Sequence, residues 1–288
     1  MIILFCGMMS QALALPCEYS PSTYVGNESR FKEQAYLLPE LQRKYDFVLS
    51  EMYNLQGRRE IKTFKSRGDK VSPNGVFLFE SKNSLKYVEK KDGAHREWLV
   101  YDLLGKFKSR PTELKIPFSI YDNGVFRQIF IPETIESKFL WYVKLRSHTE
   151  IIFPEIEVLP ELQIWLDAFY YLIGNADGNF MSRINEHIYA GKNADVLVID
   201  HADSFTFGVE SYIPNGRVKN GFNHYTSVEP RFNLKSKAFR AFVLELQSGL
   251  GLEIRHWFLA NHLVREKLSE QQQEAFLARL KHLLELDL

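Results

Sequence analysis

The stretch 160–208 constrains the chain more than any other. It opens with Leu162, Trp165, Leu166, Phe169 and Ile173 at helical spacing, and Pro160 suits the first turn of that helix. A polar loop follows, Gly174-Asn175-Ala176-Asp177-Gly178-Asn179. Then comes the apolar run Val196-Leu197-Val198-Ile199, which predicts a strand ending on Asp200. Two carboxylates thus stand at the ends of two elements whose apolar character calls for burial. Gly-Asn-Ala-Asp-Gly is also ordinary turn chemistry, and an Asp after a strand often serves only a turn or a cap. A functional reading of the pair needs a matching upstream half.

That half begins at Gly75. Val76-Phe77-Leu78-Phe79 predicts a strand, Ser81-Lys82-Asn83-Ser84 a turn, residues 85–90 a second strand and residues 95–107 a helix. Residues 116–120 and 125–131 predict a hairpin about Asn123-Gly124, the strongest short turn signal a sequence offers. Residues 75–133 therefore read as an antiparallel sheet with one inserted helix. Upstream, residues 39–54 carry a helical face of Leu41, Tyr45, Val48, Leu49 and Met52, while 18–30 reads as loop and 56–73 as a charged, exposed stretch. Downstream, 209–234 reads as irregular and the rest as helical. Ala238, Phe239, Phe242, Val243 and Leu246 share one face. Ile254, Trp257 and Phe258 share another, with Val264 at its edge, and Ser269 with Gln272 makes a capping box for a last helix. The boundaries expected are an N-terminal extension over 1–16, a first lobe over 17–133 and a second over 134–288.

Composition narrows the function classes. Lys plus Arg and Asp plus Glu number 36 each, so bulk charge gives no reason to expect nucleic-acid binding. No apolar run is long enough for a membrane span. Two cysteines, Cys6 and Cys17, exclude a disulfide framework and a cysteine-based metal site. Residues 1–14 combine an apolar run with Ala12-Leu13-Ala14 and read as a secretory signal, without a leading Lys or Arg, as a buried N-terminal strand or helix, or as residues ahead of a later true start. The first alternative implies export and the others a cytoplasmic protein.

A sheet lobe followed by a helical lobe can clamp a nucleotide between them. Phosphoryl transfer then needs one Asp to orient the attacking hydroxyl and another to hold the magnesium on the phosphates, which suits Asp177 and Asp200. It also needs a cation for the phosphates. Val88 and Lys90 fall on one face of their strand, and Glu97 shares a helix face with Val100, Tyr101 and Leu104. A carboxylate on an apolar face requires a partner, and Lys90 is the natural one, with Lys86 and Lys91 as rivals. There is no glycine-rich phosphate loop, so the turn at Ser81 and Ser84 would have to hold phosphate through N–H and hydroxyl groups.

These residues resemble the atypical kinases related to HipA toxin kinases and phosphatidylinositol 3/4-kinases. Three places carry the resemblance. His95-Arg96-Glu97-Trp98-Leu99 through Gly105 is similar to the family's Glu-bearing helix. Leu172-Ile173-Gly174-Asn175-Ala176-Asp177-Gly178 is similar to its catalytic loop. Val198-Ile199-Asp200-His201 with Phe205 is similar to its metal-binding strand end. The resemblance implies an α+β, two-lobed protein-kinase-like fold, with a small antiparallel β lobe carrying one helix and a mainly helical C-terminal lobe. It implies ATP and Mg2+ or Mn2+ as cofactors, Asp177 as catalytic residue, Asp200 as metal ligand, Lys90 as the ATP lysine and Glu97 as its partner.

Two positions depart from the family. Asn179 stands where its members carry His, and Ser182 where they carry a second metal-ligating Asn. A serine hydroxyl is a poorer magnesium ligand than an amide or carboxylate oxygen; Asn179 or Asn185 could substitute. The expected function is an ATP- and Mg-dependent protein Ser/Thr kinase acting on a protein substrate. The alternatives are a pseudokinase that binds nucleotide or a partner without transfer, and a phosphoinositide or small-molecule kinase.

Overall fold

The computed structural model describes residues 23–25, 45–65, 71–130, 160–175, 186–188, 196–198, 201, 204–205 and 234–288. The first part of the chain builds a six-stranded antiparallel sheet, in the order β1-β6-β7-β4-β3-β2. Its strands are β1 (Thr23–Val25), β2 (Arg59–Lys65), β3 (Val71–Glu80), β4 (Lys86–Lys90), β6 (Ser119–Asp122) and β7 (Val125–Ile129). Helix α1 (Tyr45–Tyr53) precedes β2, and α2 (Ala94–Leu104) lies between β4 and the short strand β5 (Leu114–Lys115). The turn at Asn123-Gly124 has φ of 48° and 83°, the left-handed pair that a two-residue hairpin loop requires.

Register fixes which side chains share a face. Tyr87 opposes Ile129, Val88 opposes Gln128, Glu89 opposes Arg127 and Lys90 opposes Phe126. Period two then puts Val88, Lys90, Phe126 and Gln128 on one face and Tyr87, Glu89, Arg127 and Ile129 on the other. Helix α2 covers the first face: the Tyr101 hydroxyl donates to Gln128 Oε1 at 3.1 Å and its ring stacks on Phe126 at 5.3 Å. Helix α1 covers the second, where Val48 and Met52 pack with Ile120 and Ile129. On that second face Arg58 Nη1 lies 2.5 Å and Arg127 Nε 3.1 Å from the same Glu89 oxygen.

The remaining helices among the described residues are α3 (Pro160–Ile173), α4 (Lys237–Glu245), α5 (Gly251–Ala260), α6 (His262–Lys267) and α7 (Glu270–Leu284), with a kink at Leu246–Leu250, where Gly249 has φ 130°. A three-stranded sheet, β5-β9-β8, pairs β5 with β9 (Val196–Val198) in parallel and β8 (Glu186–Ile188) with β9 antiparallel. Helix α3 is the centre of the main core: Trp165, Leu166 and every residue from 168 to 173 are buried. Phe107 stacks on Phe242 at 4.8 Å and meets Trp165 edge-on at 5.5 Å, so the segment after α2 is packed into the helical part. Three further contacts fasten it there. Trp257 Nε1 donates to Asp102 at 2.8 Å, and Glu245 accepts from the Lys108 and Ser109 amides at 2.7 and 2.8 Å.

The α+β class, with a small antiparallel sheet carrying one helix followed by a helical C-terminal part, is the one expected. Three local expectations are corrected. Residues 23–25 fall in the stretch read as loop but form β1, which pairs with β6 at the sheet edge. Residues 59–65 fall in the charged stretch but form β2, the opposite edge, where charged side chains discourage further pairing. Val264 does not continue the helix of Ile254 and Phe258. The chain breaks at Asn261, which is extended (φ −71°, ψ 125°) and caps α6 by accepting from the Leu263 amide. The Ser269–Gln272 capping box is present as expected. Among the described residues no helix is long and apolar enough to cross a membrane. Residues 1–14, read as signal or buried element, lie outside the described residues.

Candidate active site

Lys90 is the last residue of β4, and its face is set by pairing with both β3 and β7. Its ammonium donates to Glu97 Oε1 at 2.6 Å, and the two side chains are 7% and 0% exposed. The rivals Lys86 and Lys91 are both exposed. Glu97 sits in the first turn of α2, where a carboxylate suits the helix dipole, but its burial shows that solvated dipole compensation is not its whole role. Gly93, in the left-handed region at φ 67°, turns the chain from β4 into the helix so that strand and helix face each other.

The turn at residues 81–84 has its own internal contacts. Ser81 is buried, and its hydroxyl accepts from the Leu85 amide at 3.1 Å. The Asn83 side-chain amide donates to Glu51 Oε1 at 2.7 Å. Burial would raise the Glu51 carboxyl, but hydrogen bonds from Ser81 and Asn83 and the nearby Lys82 charge outweigh it and hold the group below its ordinary range. Glu51 thus ties α1 to the turn. Ser84 is exposed, at φ 66°.

The end of α3 is a Schellman motif. The Asn175 amide donates to Tyr170 O at 3.0 Å and the Gly174 amide to Tyr171 O at 3.1 Å, with Gly174 at φ 63°. Arg279 of α7 lies fully buried beneath it, its Nε donating to Leu172 O at 3.0 Å, a cation at a helix C-terminus. A Cβ on Gly174 would lie 2.7 Å from Arg279 Nη2. Gly174 is therefore required twice, by its backbone angle and by the guanidinium against it.

Beyond this cap the chain meets the segment after β9. Asn175, His201 and Ser204 are each 0% exposed. Asn175 Nδ2 lies 3.3 Å from His201 Nδ1 and donates to Ser204 Oγ at 3.1 Å, while the Phe205 amide donates to Ile173 O at 3.0 Å. The His201 ring meets Tyr101 edge-on at 5.3 Å. Tyr101 lies one helical turn beyond Glu97, so a single face of α2 serves both the Lys90 pair and the His201 junction. The upstream and downstream halves singled out in the sequence are brought together on that face.

Asp177, Asn179, Ser182 and Asp200 lie outside the described residues, as do Asn185 and Asp203. Among the described residues no group of three His, Cys, Asp or Glu could hold a metal ion. Sequence reasoning did not single out the contacts of Asn175, His201 and Ser204 or the role of Arg279. Their only signal was position, since Asn175 and His201 flank the proposed Asp residues within the quoted motifs.

No family model matches the chain, and no curated protein matches it. Among solved structures it is similar to the crystal structure of CtkA, a Helicobacter pylori proinflammatory kinase. The match has 13% sequence identity and a TM-score of 0.45, and covers 79% of this chain and 91% of that chain. A likeness of that size carries no residue-level correspondence.

Proposed function

We propose that the chain is an ATP- and Mg2+-dependent phosphotransferase, a protein Ser/Thr kinase of the HipA- and phosphoinositide-kinase-like type. One observation carries the reading: the Lys90–Glu97 ion pair, 2.6 Å long and buried. Burying an ion pair is a poor route to stability, because desolvation offsets much of the attraction. Such a pair suits another role: a cation on a rigid strand, held by a helix carboxylate, is what ATP phosphates require. Lys90 fits the phosphates by its charge, a buried ammonium held by Glu97 Oε1 at the end of β4. By the chemistry of its donor set, Asp200 would hold the metal, with Ser182 or Asn179 as the weaker second ligand. Bound metal would neutralise charge developing on the phosphates. Asp177 would orient the acceptor hydroxyl.

The second reading is a pseudokinase, favoured by Asn179 and Ser182 at the positions where the family carries His and Asn. Incubation with labelled ATP and Mg2+ or Mn2+, alone and with generic protein substrates, separates the two. Transfer that disappears in Lys90→Met supports the kinase. Nucleotide binding without transfer supports the pseudokinase. Absence of nucleotide binding in the folded wild type refutes both.

A further inference from the structure

A buried polar group must be hydrogen-bonded or it costs free energy, and away from water Asn175 Nδ2 meets both His201 Nδ1 and Ser204 Oγ. The Asn175 amide spans the two others. The Ser204 amide closes a turn onto His201 O at 2.9 Å, and the Phe205 amide reaches Ile173 O. Phe205 has φ 57°, an uncommon angle for a bulky side chain, which persists only where the surroundings over-determine it. Here its buried ring lies 5.5 Å from Phe276 and 6.1 Å from Phe258, anchoring the turn in α7 and α5. His201 thus joins three elements: α3 through Asn175, α2 through the Tyr101 ring, and its own turn.

We propose that His201 is a positioning residue. Its Nδ1, held by Asn175, ties the C-terminal cap of α3 to the turn of His201, Ser204 and Phe205; in sequence Asp177 comes two residues after Asn175 and Asp200 immediately precedes His201. The inference rests on the kinase reading for what those carboxylates do, but the coupling between the two segments stands on the hydrogen bonds alone. A histidine suits the place because one side chain supplies both a ring for Tyr101 and an acceptor for Asn175. Phenylalanine would keep the ring and lose the acceptor. Asparagine would keep an acceptor near the Nδ1 position and lose the ring.

The test compares His201→Phe, His201→Asn and Asn175→Ala with the full-length wild type. Two measurements are used: Mn2+·ATP binding by calorimetry, and amide hydrogen exchange in peptides covering 174–186 and 199–206. Loss of the acceptor in His201→Phe, or of the donor in Asn175→Ala, should weaken Mn2+·ATP binding by about 10–100-fold, the usual effect of losing an outer-shell partner. Exchange should accelerate in both peptides together. His201→Asn should stay within about threefold of wild type in binding, well inside the outer-shell effect. Wild-type behaviour in His201→Phe and Asn175→Ala, or equal impairment in His201→Asn and His201→Phe, overturns the proposal, the latter because packing alone would then explain the residue. If His201→Phe does not fold, Asn175→Ala carries the same comparison from the other side of the bond. If the wild type binds no Mn2+·ATP, the kinase reading falls and exchange alone decides the coupling. Unchanged exchange in Asn175→Ala then overturns it.

Discussion

Replacing Lys90 by Met keeps most of the aliphatic stem and removes the charge. Glu97, 0% exposed, would then be a buried carboxylate without its cation. Breaking a buried pair from one side typically costs about 3–5 kcal/mol, because the remaining charge cannot recover its hydration. Near an m-value of about 3 kcal/mol/M in urea, that lowers the unfolding midpoint by roughly 1–1.7 M. At about 2–4 °C per kcal/mol it lowers Tm by roughly 10 °C. Removing both charges in Lys90→Met/Glu97→Leu leaves an apolar contact where the pair was, and such replacements are often neutral or stabilising. The double variant should therefore regain at least half of the lost stability, measured by urea unfolding followed by circular dichroism. It should not regain phosphate transfer, since no cation then meets ATP; a loss of about 10²–10³-fold matches removal of one electrostatic contact to the reacting group. Stability and activity would separate in one molecule. The reasoning fails if the double variant is as unstable as Lys90→Met, or if it transfers phosphate at a rate near wild type.

Gly174→Ala should cost at least about 2 kcal/mol, from the left-handed backbone together with displacement of Arg279; Gly124→Ala, at φ 83° with nothing within 4 Å of a Cβ, isolates the backbone part for comparison in urea. Burial, with Arg96 and Lys267 nearby, pushes the His95 imidazole down to about 4. The unfolded chain takes up that proton near pH 6.5 and the folded one only near 4, so stability should be full above 6.5 and fall as pH drops through that window. His95→Gln should flatten this part of the unfolding profile, and an unchanged slope would exclude His95 as its source. Asp177→Asn should bind ATP almost normally and transfer phosphate about 10²–10⁴-fold more slowly in a labelled-ATP assay. Asp200→Ala should lose metal-dependent ATP binding while Asp203→Ala stays mild, and equal loss from both would remove the distinction.

Elements with a strong local signal were legible. The Asn123-Gly124 hairpin, the face of α3 and the alternation that aims Lys90 at α2 all follow from period and turn chemistry. What escaped was structure made by tertiary contact. Strands β1 and β2 lie at sheet edges; β2 carries Arg59, Glu60, Lys62 and Lys65, so no apolar alternation marks it. The break at Asn261 escaped because apolar spacing continues through it while the cap lies in one side chain. Asn175, His201 and Ser204 escaped for the converse reason. In sequence they are loop-type residues, and only the meeting of two distant segments buries them. Arg279 reads as the polar side of an amphipathic helix until Gly174 and Leu172 are placed beside it.

Strand β5 has a consequence for how such a chain can be inherited. Leu114 and Lys115 come from the first part of the molecule, yet they pair with Val196 and Leu197 of the second. The strand that leads into Asp200 thus takes one of its two neighbours from residues encoded far upstream. Any recombination point between 115 and 196 brings together β5 and β9 from different parents, and β9 ends two residues before the proposed metal ligand in sequence. A chimera should therefore keep β5 and β9 from one parent.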